Sequence, residues 1–313
     1  MSPGPHSLRP GDTDPSAPER LSMTQVAETT SGDGRVPGSA EGGESPSAGA
    51  LEKVAGRLRS VVADIGQVGQ LLVGLVTTAV RNPVGYWRAT RDEMYDMFRF
   101  TWLPWVLAVG GFCFMIGNYA HDFLTLVGAQ NRTGAFFVLA SAREIAPYMT
   151  GMAVAGVMGT AMTADLGARK IREELDALKV LGVDAVRQLV LPKVLGITLL
   201  MLAFNVVGIA LAVFTSMIAA TLIGDTSPGA YFAAFLSNLT TPEMVYTVIK
   251  TGFTGLVIGL VCAHKGLTVK GGPEGVGRAV NEAVVLGFVA VWVINFILNS
   301  IMLGTNPDML VNR

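Results

Sequence analysis

The sequence contains few charged residues, few histidines and only two cysteines. Of its 313 residues 15% are charged, where soluble proteins usually carry about 25%. The formal net charge is −1, so no strong electrostatic field indicates a nucleic-acid partner. Cys113 and Cys262 lie in apolar runs without CxxC spacing or a neighbouring histidine, which argues against a disulfide framework and a metal site.

Motifs for covalent or nucleotide chemistry are also missing. No G-x-x-x-x-G-K-[ST] sequence occurs, so this chain is not expected to bind ATP in a P-loop, or any other cofactor. The stretch 270–277 (KGGPEGVG) is rich in glycine but follows no strand, and it predicts a tight turn in which backbones approach closely. Three scattered histidines and the lack of a nucleophile with a base leave an intramembrane enzyme as a weak alternative.

Residues 1–50 are rich in Gly, Pro, Ser and acidic side chains and contain no apolar run. This composition predicts a disordered tail. A secretory signal would need an apolar core of about seven residues or more behind a basic start, so we expect the tail to stay in the cytoplasm. Met23 is an alternative start position.

Residues 51–100 are predicted to form interfacial, or elbow, helices. Apolar residues recur at helical spacing from Val54 to Val76, but the apolar half of this segment is short and interrupted by glutamines and glycines. A membrane span needs about 20 predominantly apolar residues. We therefore predict an amphipathic helix lying on the membrane surface, with a sixth membrane span as the alternative. Pro83 should end this helix, and the aromatic and basic residues of 86–100 are typical of the water–lipid boundary.

Long apolar runs are what the sequence has in abundance. Five of them predict membrane-spanning helices, at 101–118, 134–164, 189–223, 245–263 and 279–303. Basic residues concentrate in the loops 165–193 and 264–278, so the positive-inside rule places both loops and the N-terminus in the cytoplasm. The prediction is an all-α polytopic membrane protein with a membrane domain over 101–304 and a short external tail, 305–313.

A short charged helix is predicted at 169–181, between the second and third spans. Its apolar stripe and its acidic residues fall on different sides: Ile171, Leu175, Leu178 and Leu181 against Glu173, Glu174 and Asp176. Acidic residues are unsuited to an anionic membrane surface, so the pattern favours docking on a partner that presents Arg or Lys. The spacing fits equally well an ordinary solvated helix with pairs such as Lys170–Glu174. Asp165 is expected to cap or position the loop that follows the second span.

Arg143 and Glu144 are ionisable residues inside the second predicted span. Such side chains cost about 2.5–3.5 kcal/mol each on insertion and usually face a cavity or a partner. Alternatively, both could lie at the outer boundary and reach water. Pro147 removes one helical hydrogen bond and is expected to bend the helix.

Small residues follow in the same span: Gly151, Ala155, Gly156 and Gly159. Such a face lets helices approach closely, either within one subunit or between two. Met152 belongs to a group of methionines that could form an adaptable wall for acyl chains or simply fill gaps in the core.

The run 155–184 (AGVMGTAMTADLGARKIREELDALKVLGVD) resembles the signature region of the MlaE/YrbE permeases. These are membrane subunits of ABC transporters that work with MCE-domain lipid-binding proteins. The resemblance extends over residues 81–303, and 270–284 (KGGPEGVGRAVNEAV) is similar to the permeases of actinobacterial mce loci. Two features depart from the family: the long tail before Leu51 has no counterpart, and many members carry a basic residue near Val157.

The resemblance implies specific partners. The charged helix would be a coupling helix that fits a cleft in a dimer of P-loop ATPase subunits, which would use ATP and Mg²⁺; its expected contact residues are Arg172, Glu173, Glu174, Asp176 and Leu178. A second permease subunit, a copy or a homologue, would complete a lipid cavity beside Arg143, Glu144 and Met152.

MCE-domain proteins would exchange lipid with this cavity outside the cell membrane. Import is the expected direction, and a membrane scaffold without transport is the alternative.

Overall fold

The computed structural model describes residues 46–81, 83, 85–224 and 226–305. The predictions for most of the N-terminal tail and for the external tail 306–313 lie outside these residues. The described residues form helices and no strand. In chain order the α-helices are α1 Pro46–Arg81, α2 Trp87–Leu126, α3 Thr133–Phe137, α4 Ala146–Ala153, α5 Thr160–Ile171, α6 Glu174–Val180, α7 Leu191–Leu222, α8 Pro228–Asn238, α9 Thr241–Leu267 and α10 Gly272–Thr305. The all-α prediction is confirmed.

Short stretches of wider or tighter helix connect some of these elements. Three are π-helical, Val138–Ile145, Val154–Gly159 and Val186–Val190, and Gln130–Arg132 is a 3₁₀ turn. The second predicted span is therefore one helical stretch, 133–171, that contains two π-helical insertions. π-Helical turns widen a helix and are frequent at functional sites.

Six helical segments among the described residues are long and apolar enough to cross a membrane: Ala63–Arg81, Trp87–Leu126, Arg143–Ile171, Val186–Leu222, Thr241–Leu267 and Gly272–Thr305. Each of the last five overlaps one predicted span, but the bounds differ: the second predicted span begins at 134 and its segment at Arg143, and the third ends at 223 and its segment at Leu222. The first lies in the segment that we predict to be interfacial. Length and composition alone therefore admit the sixth span that the sequence left as the alternative.

The connections of α1 favour the interfacial position. Asp64 lies at the middle of α1, where the apolar segment Ala63–Arg81 begins, and accepts a hydrogen bond from Lys265 Nζ at 3.0 Å, at the predicted cytoplasmic end of α9. Beyond its end, six residue steps from Arg81 to Trp87 can span at most about 20 Å, less than the roughly 30 Å hydrocarbon core. Since Glu93, one to two turns into α2, pairs with Lys193 at the same end of the bundle, both ends of the apolar segment Ala63–Arg81 remain near that end.

Helix α2 joins two segments that the sequence analysis separated. The predicted boundary between residues 100 and 101 falls inside this 40-residue helix, which continues through Pro104. At 1.5 Å per residue α2 is about 60 Å long, twice the thickness of the hydrocarbon core. The aromatic and basic residues of 86–100 therefore form the part of the helix that extends towards the predicted cytoplasmic side.

Helices α2 and α7 run parallel and pack closely through small residues. A Cβ on Gly196 would lie 3.6 Å from Met94, one on Gly208 would lie 3.1 Å from Trp105, and one on Gly117 would lie 2.9 Å from Ala219. The contacting residue numbers increase in both helices together, which is possible only when α2 and α7 run in the same direction. This pair forms one side of the bundle.

Helix α5 packs on the other side, against α9 and α10. Gly266 lies against the backbone of Thr163, and Gly167 lies against Val269 and Val276. The Thr163 hydroxyl donates to the carbonyl oxygen of Cys262, and the side chain of Cys262 is fully buried. The cysteine therefore serves as a small core residue.

The loop predicted at 224–243 contains a helix that the sequence analysis missed. Helix α8 begins after Ser227, whose hydroxyl accepts from Ala230 N–H, and its Tyr231 bonds Ser216 at 2.6 Å. A Cβ on Gly134 would lie 2.1 Å from the Tyr231 carbonyl oxygen, so α3 and α8 touch backbone to backbone. Eleven residues without charge are too short for a span, which is why the segment appeared to be a loop.

The glycine-rich stretch forms the predicted close turn. Gly271 and Gly272 have φ of +89° and +70°, and a Cβ on Gly275 would lie 1.9 Å from the Lys270 carbonyl oxygen. The turn itself is short, because α10 already begins at Gly272.

Candidate functional site

The π-helical stretch Val138–Ile145 positions Arg143 and Glu144 one turn before α4. Pro147 follows at the second position of α4 and has no N–H to donate to the carbonyl of Arg143. That carbonyl instead accepts a hydrogen bond from Lys250 Nζ of α9. At Pro147, where a bend was expected, the helix changes its winding locally, and the Arg143 carbonyl is left available as a hydrogen-bond acceptor.

Arg143 forms an ion pair with Glu243 of α9. Its Nε donates to Glu243 Oε1 at 2.6 Å, and the two side chains are 11% and 1% exposed. Glu243 also accepts from the backbone N–H of Thr240 and completes a capping box at the start of α9. One carboxylate therefore both begins a helix and neutralises a buried guanidinium.

Glu144 is held by α10. The side-chain amides of Asn295 and Asn299 donate to its two carboxylate oxygens, the first at 2.6 Å. These asparagines lie four residues apart and so project from one face of α10. The Oδ1 of Asn299 accepts from Lys250 Nζ at 2.9 Å, which links Glu144 to Lys250 through one amide.

Two cations and two anions are thus joined at one place: Arg143, Lys250, Glu144 and Glu243, here called the four-charge cluster. It connects the stretch 138–145 to α9 and α10, near the predicted outer end of each. A cleft of about 60 Å³ adjoins it and is lined in part by Arg143, Tyr246, Lys250 and Asn299. A polar headgroup placed there would find donors and acceptors of both charges.

The predicted coupling helix is interrupted. Helix α5 continues to Ile171, Glu173 adopts φ +58° and ψ +14°, and α6 starts at Glu174. The predicted single helix over 169–181 is therefore wrong. Left-handed backbone in a non-glycine residue is uncommon and ends a helix locally.

The break changes the ion pairs of this segment. Lys170 pairs with Asp176 at 3.0 Å instead of with Glu174, since the predicted i,i+4 spacing requires an unbroken helix. Glu174 pairs with Arg172 at 2.8 Å and with Arg169 at 3.5 Å.

Two lysines beside Asp176 change the pKa of its carboxyl group. Lys179 and Lys170, which hydrogen-bond to its carboxyl, lower the pKa of Asp176. Glu174 and Asp176 thus both form ion pairs with Arg or Lys side chains of the same chain.

Other residues of the segment face outward. Glu173 is exposed, and Val180 and Leu181 are 88% and 75% exposed at the end of α6. Leu175 is buried and Leu178 is half-buried, so only part of the predicted apolar stripe is buried against the rest of the protein. An exposed acid at the start of α6 and two exposed apolar residues at its end form a surface suited to a protein partner.

Capping, one of the two roles expected of Asp165, is not what the structure shows. This residue lies within α5 and pairs with Arg169 at 3.1 Å and with Lys193 of α7 at 3.2 Å. Because α5 continues beyond it, its carboxylate is free to join two helices.

Among the described residues, no group of three or more His, Cys, Asp or Glu side chains is placed to hold a metal ion. The sequence profile described as Permease MlaE matches residues 90–301, well over half of the chain. The chain is an MlaE-family permease. This is a family of membrane permeases and not of enzymes.

Curated relatives of this MlaE-family permease agree with that assignment. It is 31% identical over 207 residues to the protein TRIGALACTOSYLDIACYLGLYCEROL 1, chloroplastic, of Arabidopsis thaliana, covering 64% of this chain and 57% of the relative. It is 30% identical over 208 residues to the probable ABC transporter permease protein slr1045 of Synechocystis, covering 64% and 77%. A probable ABC transporter permease protein of Rickettsia bellii is 23% identical over 238 residues, covering 76% and 91%.

Within this MlaE-family permease the predicted cavity residues occupy different positions. Arg143 and Glu144 belong to the four-charge cluster, whereas Met152 lies further along the helical stretch and is half-buried. The two predicted sites, around Arg143 and around Glu173, lie at opposite ends of the stretch 133–171.

The predicted packing residues contact neighbouring helices of the same permease. A Cβ on Gly151 would lie 3.0 Å from Val291 of α10, and one on Gly159 would lie 2.8 Å from the Cys262 sulfur of α9. Ala155 lies opposite Gly287, and Gly156 faces Phe288 at 3.9 Å. These contacts close the helix against α9 and α10.

The sequence analysis of this permease missed Glu243, Lys250, Asn295 and Asn299. A usable signal existed for Lys250, because a lysine within an apolar span is costly and indicates a functional or paired position. Asn295 and Asn299 give a weaker signal, a polar pair at i,i+4 in the last span. Glu243 stood at the edge of a predicted loop and gave none.

Proposed function

We propose that this chain is the transmembrane permease subunit of an ATP-driven ABC transporter that carries lipid, working with MCE-domain proteins to import it across the cell membrane. The names of the Synechocystis and Rickettsia relatives support an ABC permease. The Arabidopsis relative has a galactolipid in its name, which supports a lipid as cargo. The similarity of 270–284 to actinobacterial permeases supports the YrbE subtype.

The observation that carries the proposal is the four-charge cluster beside its cleft. Buried ionisable residues in membrane helices are costly and mark the path of a polar substrate. Arg143 and Lys250 supply cations for an anionic headgroup, and Glu144 is held by two amides at the edge of the same site. The surrounding helices supply apolar surface for acyl chains, with Met152 as part of the proposed cavity wall.

The ATPase would act at the opposite end of the permease, on α6 and on the break in the helix at Glu173. In the proposed complex an ATPase dimer binds ATP and Mg²⁺ and contacts the exposed Glu173, Val180 and Leu181. Arg172, which is also exposed, would belong to this surface, and the half-buried Glu174, Asp176 and Leu178 would support it.

A second permease subunit, identical or homologous, would cover part of the membrane-facing surface of α10. Three large apolar side chains there, Trp292, Phe296 and Ile301, are at least half exposed.

The first experiment is purification of the tagged protein from its native membrane in mild detergent, with mass spectrometry of the associated chains. Recovery of a P-loop ATPase and MCE-domain proteins would support the proposal and would show whether the permease pair is mixed. Isolation of the chain alone in several detergents would contradict it and favour a scaffold that does not transport.

The second experiment tests the path of the lipid. We expect Glu144→Gln to leave the complex assembled but to lower lipid transfer about tenfold or more, because a hydrogen bond to a charged group contributes about 1.5–3 kcal/mol. Glu274→Gln is the matched control, since Glu274 is exposed near the start of α10. Equal transfer by both variants would remove the cluster from the proposed path.

A further inference from the structure

A second set of charges links four helices at the predicted cytoplasmic end. It alternates in sign: Glu93 of α2, Lys193 of α7, Asp165 and Arg169 of α5, and Glu174 of α6, here called the charge chain. Lys193 Nζ lies 2.7 Å from both oxygens of Glu93 and 3.2 Å from Asp165. The chain continues through Asp165–Arg169 at 3.1 Å and Arg169–Glu174 at 3.5 Å.

Lys193 is the buried centre of this chain. Its side chain is only 7% exposed, whereas Glu93, Asp165, Arg169 and Glu174 are between 29% and 41% exposed. A lysine near a membrane boundary would ordinarily extend to water. Here it is withdrawn from water and compensated by two carboxylates from two different helices.

Holding α2 to α7 does not require these charges. The two helices already contact each other closely along their length, at Gly196, Gly208 and Gly117. A buried ion pair is also a weak means of stabilisation, because its desolvation offsets most of its Coulomb energy. What it provides is a defined geometry, since the partners must meet at hydrogen-bond distance and angle.

The link from α5 to this pair is what the charges add. The packing contacts of α5 through Leu166 and Gly167, and its hydrogen bond from Thr163, go to α9, α10 and the turn between them. Among the described residues, the ion pair that joins α5 to α7 is Asp165–Lys193. Two more ion pairs, Arg169–Glu174 and Lys170–Asp176, cross the break at Glu173 and tie α6 to α5.

We infer that Lys193 is a positioning residue that transmits displacement of α6 to the α2–α7 pair, through Asp165 on one side and Glu93 on the other. The inference rests on the proposed function, because it assumes that an ATPase moves α6. A displaced α6 pulls on α5 through the pairs across the break. The Asp165–Lys193–Glu93 contact then carries the movement to the far side of the bundle.

The test compares four variants of the intact complex reconstituted into vesicles, measuring ATP hydrolysed and lipid transferred. We expect Lys193→Met and Glu93→Gln to keep the bound ATPase and its hydrolysis rate but to transfer about two- to thirtyfold less lipid per ATP, the range reported for residues that couple distant sites. Lys193→Arg should retain most of the transfer. Asp92→Asn is the matched control, since Asp92 adjoins Glu93 but, among the described residues, pairs with the exposed Arg91.

A distance measurement separates transmission from a structural role. Spin labels at exposed Tyr95 of α2 and Val285 of α10 would report movement of α2 relative to α10, and the native Cys113 and Cys262 are buried and should not react. We expect ATP to change this distance in the wild type and to leave it unchanged in Lys193→Met. If Lys193→Met does not accumulate, Glu93→Gln takes its place in both measurements.

The outcomes distinguish the two ideas. A wild-type complex without a bound ATPase or lipid transfer would contradict the proposed function itself. An active wild type with normal transfer per ATP in Lys193→Met and Glu93→Gln would overturn only the role of Lys193. The same conclusion follows if Asp92→Asn loses as much transfer as Glu93→Gln.

Discussion

At the scale of single residues, the four-charge cluster shows how the sequence builds a site from backbone as well as side chains. Pro147 cannot donate to the Arg143 carbonyl, and the Lys250 ammonium group donates a hydrogen bond to that carbonyl instead. Asn299 then satisfies both Lys250 and Glu144 with the two ends of one amide. Each buried charge therefore has at least one partner of its own.

Glu243→Gln tests the pairing of charges at this scale. The glutamine can still accept from Thr240 N–H, but it removes the negative charge that pairs with the Arg143 guanidinium at this position. Since removing one partner of a buried ion pair costs about 3–5 kcal/mol, we expect the free energy of unfolding to fall by that amount. Unfolding in mixed detergent micelles measures it, with Asp92→Asn expected within about 0.5 kcal/mol of the wild type. Similar stability of Glu243→Gln and the wild type would mean that the Arg143–Glu243 pair contributes nothing to the free energy of unfolding.

At the scale of elements, the contact of α3 with α8 depends on one glycine. Gly134→Ala would place a methyl group about 2 Å from the Tyr231 carbonyl, so one of the two helices must shift. Overpacking of this kind typically costs about 1–3 kcal/mol. Gly111→Ala is the control in α2, because a Cβ there would meet no described atom within 4 Å beyond its own stretch of helix, and it should stabilise the helix by about 0.5–1 kcal/mol. The same unfolding assay compares them, and a neutral Gly134→Ala would contradict the backbone contact.

Helix periodicity and charge predicted the spans well, because a long apolar run has few other structures available to it. The elements that were missed depend on contacts between distant residues. Helix α8 is too short to be recognised by length, and the break at Glu173 occurs in a stretch of good helix formers. Arg143 and Glu144 were identified from their cost in a membrane, but Glu243 and Asn295 become partners only when the helices assemble.

At the scale of the whole molecule, the position of α1 decides where the N-terminus lies. An interfacial α1 leaves five spans and the two chain ends on opposite sides, whereas a crossing α1 gives six spans and ends on the same side. We expect a tag at the N-terminus to be protected from an impermeant protease in intact cells, and a tag at the C-terminus to be cleaved. The expectation follows from the contacts of Asp64 and the short connection before Trp87. Cleavage of both tags would show that α1 crosses the membrane.

The balance of the four-charge cluster has an electrical consequence for the whole cycle. Moving one elementary charge through a potential of 100 mV requires about 2.3 kcal/mol. Two cations and two anions that move together carry no net charge, so their displacement across the field does no electrical work. The four-charge cluster itself would then add no voltage dependence to the proposed transport, whatever the charge of the lipid that it contacts.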